Sequence, residues 1–293
     1  MRVLVYGHAG WIGQKCMALL TSMGHLALAG QARVDETRHV QREIQCLEPD
    51  RVLCCVGRTH GPGCGTIDYL EQPGKLVENV RDNLFAPVSL ALTCQAAGLH
   101  LTYLGTGCIF AYDNQTDAFT EDHEPNFFGS SYSVVKGFTD RLCHQLADRV
   151  LNVRIRMPIT DEIHPRNFIT KITKYEKICS IPNSMTVLDD LLPLMMDACL
   201  RQVTGTLNLC NPGVIEHNEI LQMYKDHVDP GFTWSNFSME EQDRVLAAAR
   251  SNNCMDTARL QRLYPDVPDI RASVEAALRR MGERASAKDA HDA

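Results

Sequence analysis

Short apolar runs alternate with longer segments of helical apolar spacing over the first 158 residues of the chain. The runs "RVLVYG", "HLALAG", "DRVLCCVG", "HLTYLGT" and "VLNVRIRM" predict five strands. The segments between them predict helices over 11–24, 36–47, 74–97 and 131–147. Strands that alternate with helices indicate right-handed crossovers and a parallel sheet covered on both faces. The pattern therefore predicts an α/β fold, a doubly wound parallel sheet of the Rossmann type.

The regular alternation ends after Pro158, where a polar segment interrupted by prolines begins. A short strand, "GTLNLC", and helices are predicted later in the chain, the helices over 189–201, 216–226, 239–249 and 269–281. We predict a smaller C-terminal lobe, with later segments completing the sheet of the first domain. The predicted units are a Rossmann domain at 1–158, a mainly substrate-binding lobe at 159–281 and a flexible tail at 282–293.

Composition and charge narrow the class of protein. The chain has 293 residues, 44% of them hydrophobic, and a formal net charge of −7. This acidic balance argues against nucleic acid as a partner. No apolar run reaches the roughly 18 residues of a membrane span, and "MRVLVYGHAG" is too short in its apolar part for a signal peptide. We expect a soluble, cytoplasmic protein with no membrane partner.

The twelve cysteines form no CxxC pair and do not cluster with histidines at metal-binding spacing. The spacing therefore predicts neither a metal site nor a disulfide framework. Most of these thiols are expected to be small buried hydrophobes, and this is the alternative to a chemical role for any one of them.

A glycine motif lies between the first predicted strand and helix. Gly7, Gly10 and Gly13 permit a tight turn and a close backbone approach, and the helix start offers free N–H groups. Such turns also serve only to connect elements, but the strand–turn–helix context favours nucleotide binding. We expect these glycines, with Trp11 and Ile12 between them, to hold the pyrophosphate of a dinucleotide.

The end of the second strand should select the cofactor. NAD sites usually present an acidic residue there to the ribose 2′-hydroxyl, whereas this chain has Gln31 and Arg33. A guanidinium can pair with a 2′-phosphate, which favours NADP, and NADPH as the reductant. Arg33 could instead be an ordinary surface arginine, and Asp35 and Glu36 lie close to it.

Two further pairs of residues carry candidate chemistry. Tyr132 and Lys136 are four residues apart and share one helix face, where the ammonium would lower the tyrosine pKa and the phenol could protonate a carbonyl. Thr106 and Cys108 are two residues apart at the end of the fourth strand, so in an extended segment they point to the same side. That side could be core or cleft.

These residues resemble the extended short-chain dehydrogenase/reductases. The resemblance rests on the glycine turn, Gly57 after the third strand, Asn83 in the long helix and the set Thr106, Tyr132 and Lys136. Within that family the chain is similar to dTDP-4-dehydrorhamnose reductases. It is more similar still to the bifunctional 3,5-epimerase/4-reductases of UDP-L-rhamnose synthesis, found as a plant domain and as separate proteins of large viruses. The segments that carry this similarity include "GTGCIFAYD", "YSVVK", "PRNFITKI", "IPNSMTVLDDLLP" and "NPGVIEHNEIL".

The resemblance implies roles for single residues. Thr106 would polarise a carbonyl, Tyr132 would be the acid, and Lys136 would hold the cofactor ribose. Gly57 would line the cofactor site. The family links the cysteine at Cys108 to epimerisation and places a lysine at Lys171, which would otherwise be read as a solvated helix residue.

Arg166, Asn167 and Arg250 lie in matching segments and are candidates for contacts with the nucleotide diphosphate or the sugar. For Arg250 a surface salt bridge is the alternative. The segment 57–71, "GRTHGPGCGTIDYLE", is longer than the plant loop, which leaves its substrate contacts open.

The predicted function is conversion of UDP-4-keto-6-deoxy-glucose to UDP-L-rhamnose with NADPH, with a homodimer as a possible assembly. Two alternatives stay open at this point. The chain could be a monofunctional reductase of an already epimerised dTDP- or UDP-sugar, or a non-catalytic subunit that binds a dinucleotide.

Overall fold

The computed structural model describes residues 1–113 and 117–292 of the chain. The strands are β1 Arg2–Tyr6, β2 Leu26–Ala29, β3 Arg51–Cys54, β4 His100–Thr106, β5 Val150–Ile155, β6 Pro158–Ile159, β7 Lys177–Ile178, β8 Thr186–Val187, β9 Gly205–Asn208 and β10 Ser235–Asn236. The helices are α1 Trp11–Ser22, α2 Thr37–Leu47, α3 Leu76–Val80, α4 Ala86–Ala96, α5 Ser131–His144, α6 Phe168–Ile172, α7 Leu188–Leu200, α8 His217–His227, α9 Met239–Val245, α10 Ala258–Leu263 and α11 Ile270–Asp292.

The central sheet is parallel and has six strands in the order β2-β1-β3-β4-β5-β9. The doubly wound fold predicted from the alternating pattern is confirmed. Strand order reverses between β1 and β3, and in such sheets ligands bind outside the carboxyl ends of the strands at this reversal. The sixth strand comes from the C-terminal part of the chain, so both parts contribute to one sheet.

Alternating residues of the strands supply two cores. On one face Val5 packs in a cluster with Leu20 of α1 and Met195 of α7. On the other face Leu4 packs with Leu90 of α4, in a cluster that also includes residues of α2 and α5. Because consecutive strand residues point to opposite faces, continuous apolar strands of this kind need helices on both sides.

The segment predicted as one helix over 74–97 contains a change of winding. Between α3 and α4, residues Arg81–Phe85 form a π-helical turn, and Asn83 within it is fully buried. Its side-chain amide accepts a hydrogen bond from the Arg58 N–H at 2.9 Å and donates to the Arg58 carbonyl oxygen at 2.8 Å. The turn thereby fixes the loop that follows β3.

A buried ion pair joins the sheet to α5. Arg154 of β5 donates to both carboxylate oxygens of Asp140 on α5, each at 2.8 Å, and both side chains are almost completely buried. Asn152 donates to the same carboxylate at 2.7 Å. This cluster of hydrogen bonds sets the position of α5 against the strand beside it.

The smaller lobe has its own core, in which Ile172, Met185 and Leu278 are buried together. The short parallel pairs β6 with β8 and β7 with β10 form part of it. The tail predicted at 282–293 lies in α11, which continues to Asp292, and its flexibility stays a prediction. The segment has four alanines, the residue that most favours helix, so the helix extends past its packed part. No helix of the described residues is long and apolar enough to cross a membrane.

Candidate active site

A cavity of about 460 Å³ lies where the carboxyl ends of β1, β3 and β4 meet the smaller lobe. Its lining comes from the turn before α1, the loop after β3, the end of β4, the start of α5 and the segment around α6. Its volume is within the range of small-molecule sites, and its place in the sheet is the one that the strand order predicts.

The glycine turn forms one wall of this cavity. Gly7 has a φ of +77°, and a Cβ on it would lie 2.9 Å from the carbonyl carbon of Cys55. A Cβ on Gly13 would overlap the carbonyl group of Gly7, so α1 begins directly against β1. Gly10, Trp11, Ile12 and Gly13 line the cavity, whereas Gly7 shapes the turn behind them. The first N–H groups of α1 have no carbonyl within the helix, which suits an anionic pyrophosphate.

The residues expected to choose between cofactors lie after β2. Arg33 is largely exposed and pairs with Asp35 at 3.0 Å, and it does not line the cavity. Next to it the carboxylate of Glu43 accepts hydrogen bonds from the N–H groups of Gln31 and Ala32 at 2.6 and 3.2 Å. The assignment of Arg33 to a 2′-phosphate stays a prediction.

Thr106 and Cys108 both line the cavity, but the strand argument for their shared direction is wrong. β4 ends at Thr106, and Cys108 lies in the turn that follows. The Thr106 hydroxyl accepts a hydrogen bond from the Cys108 N–H at 3.1 Å. A hydroxyl-to-backbone bond of this kind favours a turn over a continued strand. Their common orientation therefore comes from a local turn.

Tyr132 is in the first turn of α5 and is 8% exposed. Ser130 caps this helix, and the Ser133 hydroxyl donates to the Cys108 carbonyl oxygen at 2.7 Å, which joins α5 to the turn that carries the thiol. Burial, and then the neighbouring Cys108, raise the pKa of Tyr132, while a hydrogen bond with Thr106 acts in the opposite direction. The predicted lowering by Lys136 is therefore not found.

Lys136 explains that difference. Its ammonium is buried and donates a hydrogen bond to the hydroxyl of Tyr103, with the Tyr103 ring centre 4.6 Å away. Burial lowers the pKa of Lys136 to about 8. Tyr103 was missed from the sequence, where it reads as one more apolar strand residue. A hydroxyl in the middle of a buried strand was the available signal, because such a group needs a partner.

The smaller lobe contributes cations. Lys171 of α6 lines the cavity, and burial, followed by the charges of Arg166 and Arg250, lowers its pKa. Arg166 and Arg250 also line the cavity. Arg250 donates to Asp68 at 2.6 Å. Burial opposes ionisation of Asp68, but its hydrogen bonds, that with Arg250 foremost, lower its pKa overall. These three cations make this end of the cavity suitable for an anionic ligand.

The prediction that Asn167 contacts the substrate is not supported by its position. It is fully buried and does not line the cavity. Its side chain donates to the carbonyl oxygens of Thr160 and Glu162 at 2.8 and 2.7 Å and caps α6 by accepting from the Ile169 N–H at 3.2 Å. Asn at the start of a helix commonly has this capping role. Asn167 thus positions the helix of Lys171.

The arrangement supports acid–base chemistry. Two hydroxyls (Thr106 and Tyr132), a thiol (Cys108) and an ammonium (Lys171) line one cavity with Gly57 and Lys136 on its cofactor side. A phenol and an ammonium can donate protons, and a thiol can accept one once ionised. Among the described residues no group of three or more His, Cys, Asp or Glu is placed to hold a metal ion.

Known proteins with similar sequences and structures include rhamnose-forming enzymes, in agreement with the acid–base groups that line the cavity. No protein-family model matches the chain. The crystal structure of the L780 UDP-rhamnose synthase of Acanthamoeba polyphaga mimivirus is 54% identical, covers 96% of this chain and 99% of its own, and superposes with a TM-score of 0.94. A bifunctional dTDP-4-dehydrorhamnose 3,5-epimerase/reductase of Arabidopsis thaliana is 40% identical over 92% of this chain and 90% of its own length.

A more distant structure is similar to this chain in fold only. The dTDP-4-dehydrorhamnose reductase of Bacillus anthracis, solved in complex with NADP, is 18% identical, covers 97% of this chain and 98% of its own, and has a TM-score of 0.75. The resemblance found in the sequence is confirmed by the viral and plant relatives. The chain belongs to the family of rhamnose-forming nucleotide-sugar 3,5-epimerase/4-reductases that these two proteins represent.

Proposed function

We propose that this protein converts UDP-4-keto-6-deoxy-D-glucose to UDP-L-rhamnose, as a 3,5-epimerase and an NADPH-dependent 4-keto-reductase. The observation that carries the proposal is the placement of Cys108 and Lys171 in the same cavity as Thr106, Tyr132 and Lys136. A reductase alone needs only the last three. The names of the viral and plant relatives support the same activity and a nucleotide-sugar substrate.

Epimerisation follows from the acidity of the sugar. A ketone at C4 makes the protons at C3 and C5 acidic, since either carbanion is an enolate of that carbonyl. At each carbon Cys108 as thiolate would remove a proton and Lys171 as ammonium would return one to the opposite face, and proton exchange with water would restore both groups between the two inversions. Burial and two neighbouring guanidinium groups lower the pKa of Lys171, which makes its ammonium a better proton donor. Thr106 would hold the carbonyl oxygen during both inversions.

Reduction uses the other half of the site. Bound at the glycine turn, NADPH would supply a hydride equivalent. Tyr132 would protonate the C4 oxygen, and its raised pKa keeps the phenol protonated at neutral pH. Lys136 would hold the cofactor ribose. Because Gly13 packs against the Gly7 carbonyl, α1 starts close to the turn, and the free N–H groups of that helix start fit the pyrophosphate of a dinucleotide.

The direct test of this function is turnover. Consumption of NADPH with UDP-4-keto-6-deoxyglucose, and a product that coelutes with UDP-L-rhamnose, are expected. Absence of NADPH oxidation with this substrate and with its dTDP counterpart would remove the proposal and favour a non-catalytic role.

Preference for NADPH over NADH rests on Arg33. We expect Arg33→Asp to raise the KM for NADPH about tenfold or more, because a charge-assisted contact with a 2′-phosphate contributes about 1.5–3 kcal/mol. The KM for NADH should change little. Steady-state kinetics with both cofactors measure this, and equal losses for both would show that Arg33 is an ordinary surface residue.

Lys136 should set the alkaline limit of activity. Its pKa is lowered to about 8, so the ammonium loses its proton as the pH rises through about 8. We therefore expect kcat/KM for NADPH to fall above this pH, because that parameter reports groups of the unliganded enzyme. Lys136→Arg stays charged throughout and, even at lower activity, should lose this alkaline limb. An unchanged limb in that variant would assign it to another group.

A further inference from the structure

The loop at 57–71 places a histidine in the cavity that neither the family resemblance nor the proposed reaction uses. His60 lines the cavity next to Thr59. Its Nε2 contacts the Arg166 guanidinium, which can only donate, so Nε2 accepts and the proton of the neutral ring is on Nδ1. That Nδ1 is buried and has no hydrogen-bond partner within the described part of the chain.

The loop that carries His60 is held firmly. Arg58 donates to Asp82 at 2.5 Å, and its backbone bonds to Asn83. Residues 61–64 close a tight turn through two hydrogen bonds between Gly61 and Cys64, both of 3.1 Å. Further along, Asp68 is paired with Arg250. His60 is therefore presented by a loop anchored on both sides, as a binding residue requires.

The surroundings of His60 are electropositive. Burial, and then the charges of Arg166, Arg58 and Lys171, lower its pKa, so the ring stays neutral and keeps a single donor. A buried donor without a partner is unfavourable and calls for an acceptor. Beside a cavity with several cations, the matching acceptor is an anionic oxygen.

We propose that His60 binds the nucleotide-sugar substrate, holding Arg166 through Nε2 and donating its Nδ1–H to an oxygen of the substrate diphosphate. This rests on the proposed function, which supplies a nucleoside diphosphate sugar as the ligand. The loop at 57–71 would then contact the diphosphate together with Arg166 and Arg250. The diphosphate would then be held by a neutral donor and two guanidinium groups.

Two substitutions separate the two nitrogens. His60→Gln keeps an acceptor near the Nε2 position for Arg166 but has no donor at Nδ1. His60→Asn keeps an amide donor near the Nδ1 position but does not reach Arg166. We expect His60→Gln to weaken binding of UDP, measured by calorimetry, by roughly tenfold or more, as for loss of a hydrogen bond to a charged group. His60→Asn should lose less, and NADPH binding should be unchanged in both.

The outcomes are distinct. If the unmodified protein binds UDP and His60→Gln binds it equally well, the proposal for His60 is wrong and the proposed function stands. If His60→Gln weakens NADPH as much as UDP, the residue serves the cofactor instead. If the unmodified protein binds no UDP, both proposals fail. Thermal unfolding of each variant separates these results from a loss of folding.

Discussion

Tyr132→Phe should abolish ketone reduction, with kcat lower by about 10²–10⁴-fold, while NADPH binds almost as before. The substitution removes one hydroxyl from a ring that is 8% exposed and leaves its packing against Tyr69 and Leu70 in place. The hydroxyl of Tyr132 would be the acid next to Thr106, and its burial leaves water little access to replace it. Single-turnover kinetics with an already epimerised keto-sugar, together with cofactor titration, measure the two effects separately.

Lys136→Ala is the companion to this test. Because the lysine is expected to hold the ribose, NADPH binding should weaken, and reduction should fall with it. Near-normal turnover by Tyr132→Phe would contradict the role of the tyrosine. A Lys136→Ala protein with unchanged NADPH binding would remove the lysine from the cofactor site.

Cys108→Ser should separate epimerisation from reduction. An alcohol is a far poorer base near neutral pH than a thiol, whose unperturbed pKa is about 8.5. Exchange of the C3 and C5 protons for solvent deuterium should fall by at least about 100-fold, by analogy with loss of a general base. Reduction of a substrate that another enzyme has epimerised should persist, since Tyr132 needs no thiol.

Two matched variants make this result specific. Lys171→Met should show the same separation, with weaker substrate binding as well if the ammonium also contacts the sugar. Cys64→Ser removes a thiol that packs in the same cluster as Cys108 but does not line the cavity, and it should keep both activities. If Cys108→Ser exchanges both protons at the parental rate, the thiol is only a packing group and is not the base of the epimerisation.

Apolar periodicity predicted the strands and most helices because burial on both faces of a parallel sheet leaves a strong pattern. The glycine turn was also predictable, since its backbone excludes a Cβ at Gly13. Thr106 and Cys108 were predicted to face the same side from strand geometry. Both do line the cavity, but Cys108 is directed there by the turn that follows β4. Family resemblance, not spacing, singled out Lys171.

What the sequence did not predict depends on contacts between distant segments. The π-helical turn around Asn83 is fixed by Arg58, 25 residues away, and the spacing of apolar residues within the helix does not indicate this contact. Asn167 and Arg166 are adjacent in sequence, yet one caps α6 and the other faces the cavity. The bond from Lys136 to Tyr103 joins a helix to a strand 33 residues away. Each assignment required the three-dimensional fold.

Our proposal is that one cavity carries out inversion and reduction in sequence. Its most direct test is to incubate the unmodified protein with UDP-4-keto-6-deoxyglucose and NADPH in deuterated water and to analyse the product by NMR. We expect UDP-L-rhamnose with deuterium at both C3 and C5. A 6-deoxy sugar reduced at C4, with the original configuration at C3 and C5 and no deuterium at either carbon, would contradict it.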